Sequence, residues 1–211
     1  MSEPQGLLAV WTDIPPALEA DFNDWYDREH LAERAGIPGF RNARRYIAEG
    51  AAPKYFALYE TESISVFATP EYRRYLGPLM TAWSKRIMGA FVNNHRRCCS
   101  FVARAGGGIG GAVVSLRLPA SDALAAALKG GALKAALGPS GAIGAKAWRS
   151  DLAATFPDGP PRDAVPELVV VVEGTSPGAA TAGADALHGT LGEAGAPLHR
   201  GLYRLLHALP S

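Results

Sequence analysis

The apolar positions of the chain change period several times, and each change marks an element. Residues 7–13, LLAVWTD, are short, apolar and β-rich, and they end at Ile14-Pro15-Pro16, which predicts a strand. From 17 to 35, Leu18, Phe22, Trp25 and Tyr26 fall on one side of a helix, with Asp21, Asp24, Asp27 and Arg28 mostly on the other. Gly36 supplies a C-cap and Pro38-Gly39 a turn. FRNARRYIAEG then alternates as a strand, residues 50–53 turn the chain, and KYFALYE returns as the other arm of a hairpin. Thr69-Pro70 reads as an N-cap followed by proline at the first helical position. Helical sequence is expected from there to about Asn94, broken near Gly77-Pro78, and CCSFVAR closes the series as a strand. The order β-α-β-β-α-β is that of a ferredoxin-like unit.

AGGGIGG at 105–111 follows. A nucleotide loop needs a strand before it and a helix after it; here a strand comes next, so the segment reads as a flexible linker. The series then repeats. AVVSLRL is a strand, SDALAAALKGGALKAAL a helix capped by Ser121, and AIGAKAWRS and ELVVVVE are strands split by a Pro-rich loop at 156–166. ATAGADALHGTLGEA is a helix, and LHRGLYRLLHAL ends the chain. Particular residues repeat as well. Gly39, Ala43, Arg44 and Tyr46 are answered by Gly141, Ala145, Lys146 and Trp148, and His95-Arg96 by His199-Arg200. A tandem duplication is expected. The predicted architecture is α+β: a ferredoxin-like half over 1–104, a linker over 105–111 and a degenerate second half over 112–211, their sheets packed as an α/β barrel. The short linker favours closure within one chain; pairing of sheets between chains, as a homodimer, is the other arrangement.

The halves differ in content. Fifteen of the 18 Phe, Trp and Tyr residues precede the linker, which puts any chemistry in the first half. The 211 residues are 48% hydrophobic and carry a net charge of +1, without the basic stripe that nucleic-acid binding needs. No apolar run approaches the roughly 18 residues of a membrane span. The start, MSEPQGLLAVWTDIPP, lacks a positively charged region and a long apolar run, so no secretory signal is expected. Cys98 and Cys99 are adjacent, point to opposite faces of a strand and suit reduced core thiols in a cytoplasmic protein. They offer no metal-ligand set.

The stretch FNDWYDREHLAERAGIPGFRNARRY, with the KYFALYE strand after it, resembles the EthD-like group of the dimeric α/β-barrel superfamily. It is most similar to uncharacterised bacterial members with a W-Y-x-x-E-H-[LI]-x-E-R helix and an I-P-G-F turn. The resemblance covers residues 7 to about 104. It implies two ferredoxin-like units packed sheet against sheet, helices outside, around a cavity that often holds a small hydrophobic or aromatic compound. Members include cofactor-free monooxygenases, lactone isomerases, polyketide cyclases, dehydratases and haem proteins, so fold alone does not fix function. The resemblance also implies that His30, near the end of the first helix, faces the cavity.

An imidazole there can take a proton from an activated carbon or phenol and return it. Glu29 lies about 100° round the helix from His30, while Asp27, Glu33 and Tyr26 are better placed to orient it. The plainer reading is a half-exposed histidine suiting the helix C-terminus. Trp25 and Tyr26 either stack on a flat ligand or are core. Arg44 and Tyr46 alternate on one strand face with Asn42, as cavity lining or as an edge. Trp11 and Tyr59 are further lining candidates, and Trp83 is a candidate to close one barrel end. The expectation is a site without metal or organic cofactor, with His30 as acid/base and Trp11, Trp25, Tyr26, Arg44, Tyr46, Tyr59 and Trp83 as binding residues. Its partner is a small apolar or aromatic molecule. The reaction is isomerisation, cyclisation or dehydration of a small carbonyl or phenolic compound. The alternatives are a non-enzymatic binding or accessory protein of the same fold and, more distantly, a haem protein.

Overall fold

The computed structural model describes residues 5–210. The first four residues, on which the reading of the N-terminus partly rests, and Ser211 lie outside it. The described residues form eight strands: β1 (Gly6–Asp13), β2 (Phe40–Ala48), β3 (Tyr55–Thr61), β4 (Val92–Gly106), β5 (Ala112–Pro119), β6 (Ala142–Ser150), β7 (Glu167–Gly174) and β8 (His199–Pro210). The helices are α1 (Glu19–Trp25), α2 (Leu31–Ala35), α3 (Pro70–Arg74), α4 (Ala82–Gly89), α5 (Asp122–Lys129), α6 (Leu152–Thr155) and α7 (Pro177–Leu191).

The strands close into one antiparallel barrel in the order β1-β3-β2-β8-β5-β7-β6-β4. Each unit keeps the ferredoxin-like sheet order, β4-β1-β3-β2 and β8-β5-β7-β6, and the two are sewn together at the β2–β8 and β4–β6 seams. The expected fold is therefore present, closed within one chain. No helix among the described residues is long and apolar enough to cross a membrane.

Strand alternation sorts side chains between the barrel interior and the helix-covered outside. Leu7, Ala9 and Trp11 of β1 point in, with Tyr46, Phe56, Leu58, Trp148, Val169, Val171 and Tyr203. An eight-stranded barrel has an interior that side chains can fill, and these do so. Leu8 points out, to meet Phe22, Trp25, Tyr26 and Leu31 of the first helical layer. The second helical layer is a separate core of Leu124, Leu128, Leu187, Val170, Val172 and small residues. Cys98 and Cys99 are both free and buried, one in the helical layer and one in the barrel interior.

Two expected elements differ. The helix after Thr69 does not run to Asn94: α3 is short, α4 stops at Gly89, and β4 begins at Val92 instead of Cys98. Asn93 to Arg97 have no apolar helical face, and the barrel gives them a ladder partner, with Trp11 opposite His95. In the second half, Gly130-Gly131 ends α5, because Gly131 turns to φ +108°, and a 3-10 turn follows over Ala132–Leu137.

Candidate functional site

Between α1 and α2 the helix widens into one π turn, Tyr26–His30, closed by the Leu31 N–H donating to the Tyr26 carbonyl. In a regular α-helix residues five apart lie about 140° apart round the axis. The wider turn brings residue 30 back under residue 25. The His30 ring stacks on Trp25 at 4.1 Å between centroids and 25° between planes, with Tyr26 edge-on at 5.1 Å.

Trp25 is itself fixed from behind. Its Nε1 donates to Ser84 Oγ of α4 at 3.0 Å, and that hydroxyl donates to Glu29 Oε1 at 2.9 Å. Glu29 thus faces away from His30 and ties α4 to the π turn, as its sequence position requires. The sharp stop after α2 comes from Gly39, at φ +90° in the turn to β2.

His30 is buried, 6% exposed, yet it lines a cleft open to solvent between the first helical layer and the outer face of β1, β3 and β4. The cleft has about 520 Å³ of empty space, open solvent included; Tyr26, His30, Arg34, Tyr59, Tyr72 and Arg96 supply its polar and aromatic wall. Leu8, Val10, Met88 and Phe91 supply much of the apolar wall. Every lining residue precedes the linker.

The electrostatics of this wall are unbalanced. Arg34 is 3% exposed; its Nη2 donates to the Tyr75 carbonyl at 3.3 Å, while its Nη1 is buried without a hydrogen-bond partner among the described residues. Its guanidinium stands over the Tyr72 ring. Glu33 lies 3.9 Å from Arg34 and 3.5 Å from His30 Nδ1, too far to satisfy either, and Glu33 Oε2 and His30 Nδ1 are unpartnered as well. Burial holds the His30 imidazole well below its ordinary value, and the positive charges of Arg34 and Arg45 push the same way. Burial raises the Glu33 carboxyl, against the pull of Arg34. The Tyr59 phenol is pushed well up, by burial first and by Tyr26 second. At neutral pH His30 is therefore an uncharged imidazole beside a buried, incompletely paired guanidinium.

Of the residues singled out in the sequence, His30, Tyr26 and Tyr59 meet at this cleft. Trp25 is fully buried behind His30 as its platform. Trp11, Arg44 and Tyr46 lie in the barrel interior, on the other side of the sheet, because strand alternation sends them inward. Trp11 Nε1 donates to Ser115 Oγ, and Arg44 is ion-paired. Trp83 does not close a barrel end; it rests on α1, its Nε1 donating to Asp21 Oδ1. Asp27 turns to Arg45, leaving Glu33 as the acidic neighbour of His30.

Sequence reasoning missed Arg34 and Arg45. Arg34 stood in the W-Y-x-x-E-H-[LI]-x-E-R helix pattern but was not singled out. Arg45 alternates with Arg44 on β2, so one of the two had to face the helical layer. It does so at 4.7 Å above the Tyr26 ring.

No protein-family model matches the chain, and no curated protein matches its sequence. Solved structures do match along its whole length. A candidate monooxygenase from Fusobacterium nucleatum superposes with a TM-score of 0.64 at 9% identity, over 100% of this chain and 96% of that one. An anthrone oxidase-like protein gives 0.60 at 10% identity, over 99% and 94%. A haem-binding protein from Thermus thermophilus gives 0.54 at 10% identity, over 98% and 92%. At such identities the likeness establishes the barrel fold and nothing finer.

Proposed function

We propose that the His30 cleft binds a small, mostly apolar carbonyl or phenolic compound. On this reading the chain is an enzyme that needs neither metal nor organic cofactor. It moves a proton between His30 and the bound compound, the step that isomerisation, cyclisation and dehydration share. The observation that carries this is the pair of unpartnered buried atoms, His30 Nδ1 and Arg34 Nη1, in one solvent-open cleft.

The chemistry follows from the charges. In the free cleft, burial and two arginines disfavour an imidazolium. A compound that gives its proton to His30 becomes an enolate or phenolate, so cation and anion arise together. The anion lies beside Arg34, to which the Glu33 carboxylate 3.9 Å away makes no hydrogen bond, and compensates the imidazolium. Leu8, Val10, Met88 and Phe91 keep water from the apolar part of the ligand.

Haem, which the Thermus neighbour raises, does not fit these residues. An axial histidine needs a nitrogen facing an open apolar space as wide as the macrocycle. The His30 ring is covered on one face by Trp25, and its cleft wall carries Arg34 and Arg96. His30 is the one buried histidine among the described residues, and the pocket beside α7 that His188 lines also carries Arg200.

Anthrone and α-tetralone, aromatic ketones with an acidified carbon, are suitable probes. The experiment follows deuterium uptake at that carbon by mass spectrometry under nitrogen, with binding read from tryptophan emission. The protein should speed exchange over buffer, and His30→Gln should remove about 10² or more of the acceleration while binding persists. Binding without any acceleration would replace the enzyme reading with that of a binding protein.

A further inference from the structure

Of the duplicated His-Arg pairs of the sequence, the histidines, His95 and His199, do not line the His30 cleft. His95 faces Trp11 across β1 and β4, and His199 faces Arg117 across β5 and β8, so the two pairs are equivalent by register. All four meet at one end of the barrel. Around the fully buried Trp11 indole stand His95 at 5.8 Å, His199 at 6.2 Å and the Arg117 guanidinium at 5.7 Å. We propose that this barrel end is a second binding site, for a small oxyanion: the carboxylate or phosphate group of a small molecule.

The donors outnumber the acceptors. Glu167 is the carboxylate that joins them. Its Oε1 accepts from Arg97 Nη2 at 2.6 Å and Arg117 Nη2 at 3.2 Å; its Oε2 accepts from Arg117 Nε at 2.8 Å and lies 3.2 Å from His95 Nε2. His199 Nε2 is 3.2 Å from the Tyr203 hydroxyl. Two guanidiniums thus share one carboxylate, leaving a net positive charge with both imidazoles neutral. Arg97, whose side chain is 9% exposed, keeps its Nε buried without a partner. The Nδ1 atoms of both histidines and Nη1 of Arg117 have no hydrogen-bond partner among the described residues.

A divalent cation would be repelled by the two arginines, whereas an anion meets unused donors and a surplus of positive charge. Burial lowers both histidines, and the Arg117 charge lowers them further, against the opposing pull of Glu167. An anion would relieve that positive potential. His95 and Arg97, but neither Arg117 nor His199, line a depression of about 840 Å³, open solvent included, whose wall also carries Arg96 and the acidic Asp163.

The end is also built asymmetrically. Where the first unit carries Arg97, the second carries Gly201, and a Cβ there would stand 2.3 Å from the Tyr203 ring. Glycine makes room for that ring to reach His199.

The test is an NMR titration of the histidine ring signals with inorganic phosphate, with acetate, and with chloride at matched ionic strength. The chain has five histidines, so substitution assigns each signal. The expected result is saturable movement of the His95 and His199 signals with phosphate or acetate and none of that kind with chloride. Arg117→Gln should weaken binding at least tenfold. Circular dichroism checks its fold, and His199→Gln, at a half-exposed position, gives the same reading if Arg117→Gln does not fold. Saturation by acetate alone assigns a carboxylate ligand, by phosphate alone a phosphate. Movement that never saturates, that chloride reproduces, or that a folded Arg117→Gln leaves unchanged overturns the proposal.

Discussion

Arg44 of the first unit donates to Glu173 of the second, Nη1 to Oε1 at 2.6 Å, deep in the barrel at the end opposite Trp11. Lys146 of the second unit donates in return to Glu60 of the first, also at 2.6 Å. Arg44 and Lys146 occupy equivalent places in β2 and β6, and Glu60 and Glu173 in β3 and β7. Each unit therefore neutralises its cation with the other's carboxylate. Asn42 donates to the Glu60 oxygen that Lys146 leaves, and the Gly110 N–H donates to Glu173 Oε2.

Arg44→Leu should cost about 3–5 kcal/mol, because it strands Glu173 inside the barrel. Chemical denaturation measures this. Lys146→Met should cost less, since Lys146 is 21% exposed and Arg44 remains near Glu60. A loss below about 1 kcal/mol for Arg44→Leu would mean the tetrad does not hold the units together.

Acid should act through Glu167. His95, Arg117 and Arg97 overcome its burial and hold its carboxyl at about 2, from 4.5. A carboxyl depressed on folding adds stability that is complete above the unfolded value and lost as pH falls through the folded one. Stability should fall between pH 4.5 and about 2, and Glu167→Gln should flatten that part of the curve while lowering stability at pH 7. Parallel curves for the two proteins would contradict this.

The exchange rate in the His30 cleft should show its own acid limb. A base works when deprotonated, and the imidazole sits well below its ordinary 6.5. The kcat/KM for exchange should stay level as pH drops through 6.5 and fall only further down. Removing the Arg34 charge by Arg34→Met should move that limb upward and lower kcat. A wild-type limb at or above pH 6.5 would show that another group is the base.

Gly39→Ala should lower Tm by about 2–8 °C, from about 1–2 kcal/mol of left-handed strain. At φ +90° the new Cβ would also stand 2.7 Å from Val66 Cγ2. Gly89→Ala, with open space around it and no such φ, is the control and should change little.

The architecture was legible because strand alternation and the repeated element order survive in the sequence. Tyr46 and Trp148, and Arg44 and Lys146, echo each other because the same barrel positions need filling in both units. The candidate site was half legible. His30 stood out as a histidine among aromatics, but a 3.6-residue period cannot show that the helix widens there, so Trp25 and His30 did not read as stacked. Arg34 and Glu167 were missed for a common reason. Each is a charged residue near an element's end, where solvent is the usual partner, and tertiary packing buries both. The helix was expected to reach about Asn94 and the strand to begin at Cys98, because only their ladder with β1 makes the residues between a strand.

Closure of the barrel by one polypeptide also removes a symmetry constraint. In a ring built from two identical chains, every substitution is copied, and any pocket comes in pairs. Here the second helical layer carries Leu124, Leu128 and Leu187, and the pocket beside Leu116 and Arg200 has neither a buried histidine nor a buried arginine among the described residues. Stoichiometry records the difference: one His30 and one Arg34 serve the whole barrel, so occupancy of that cleft saturates at one equivalent per chain.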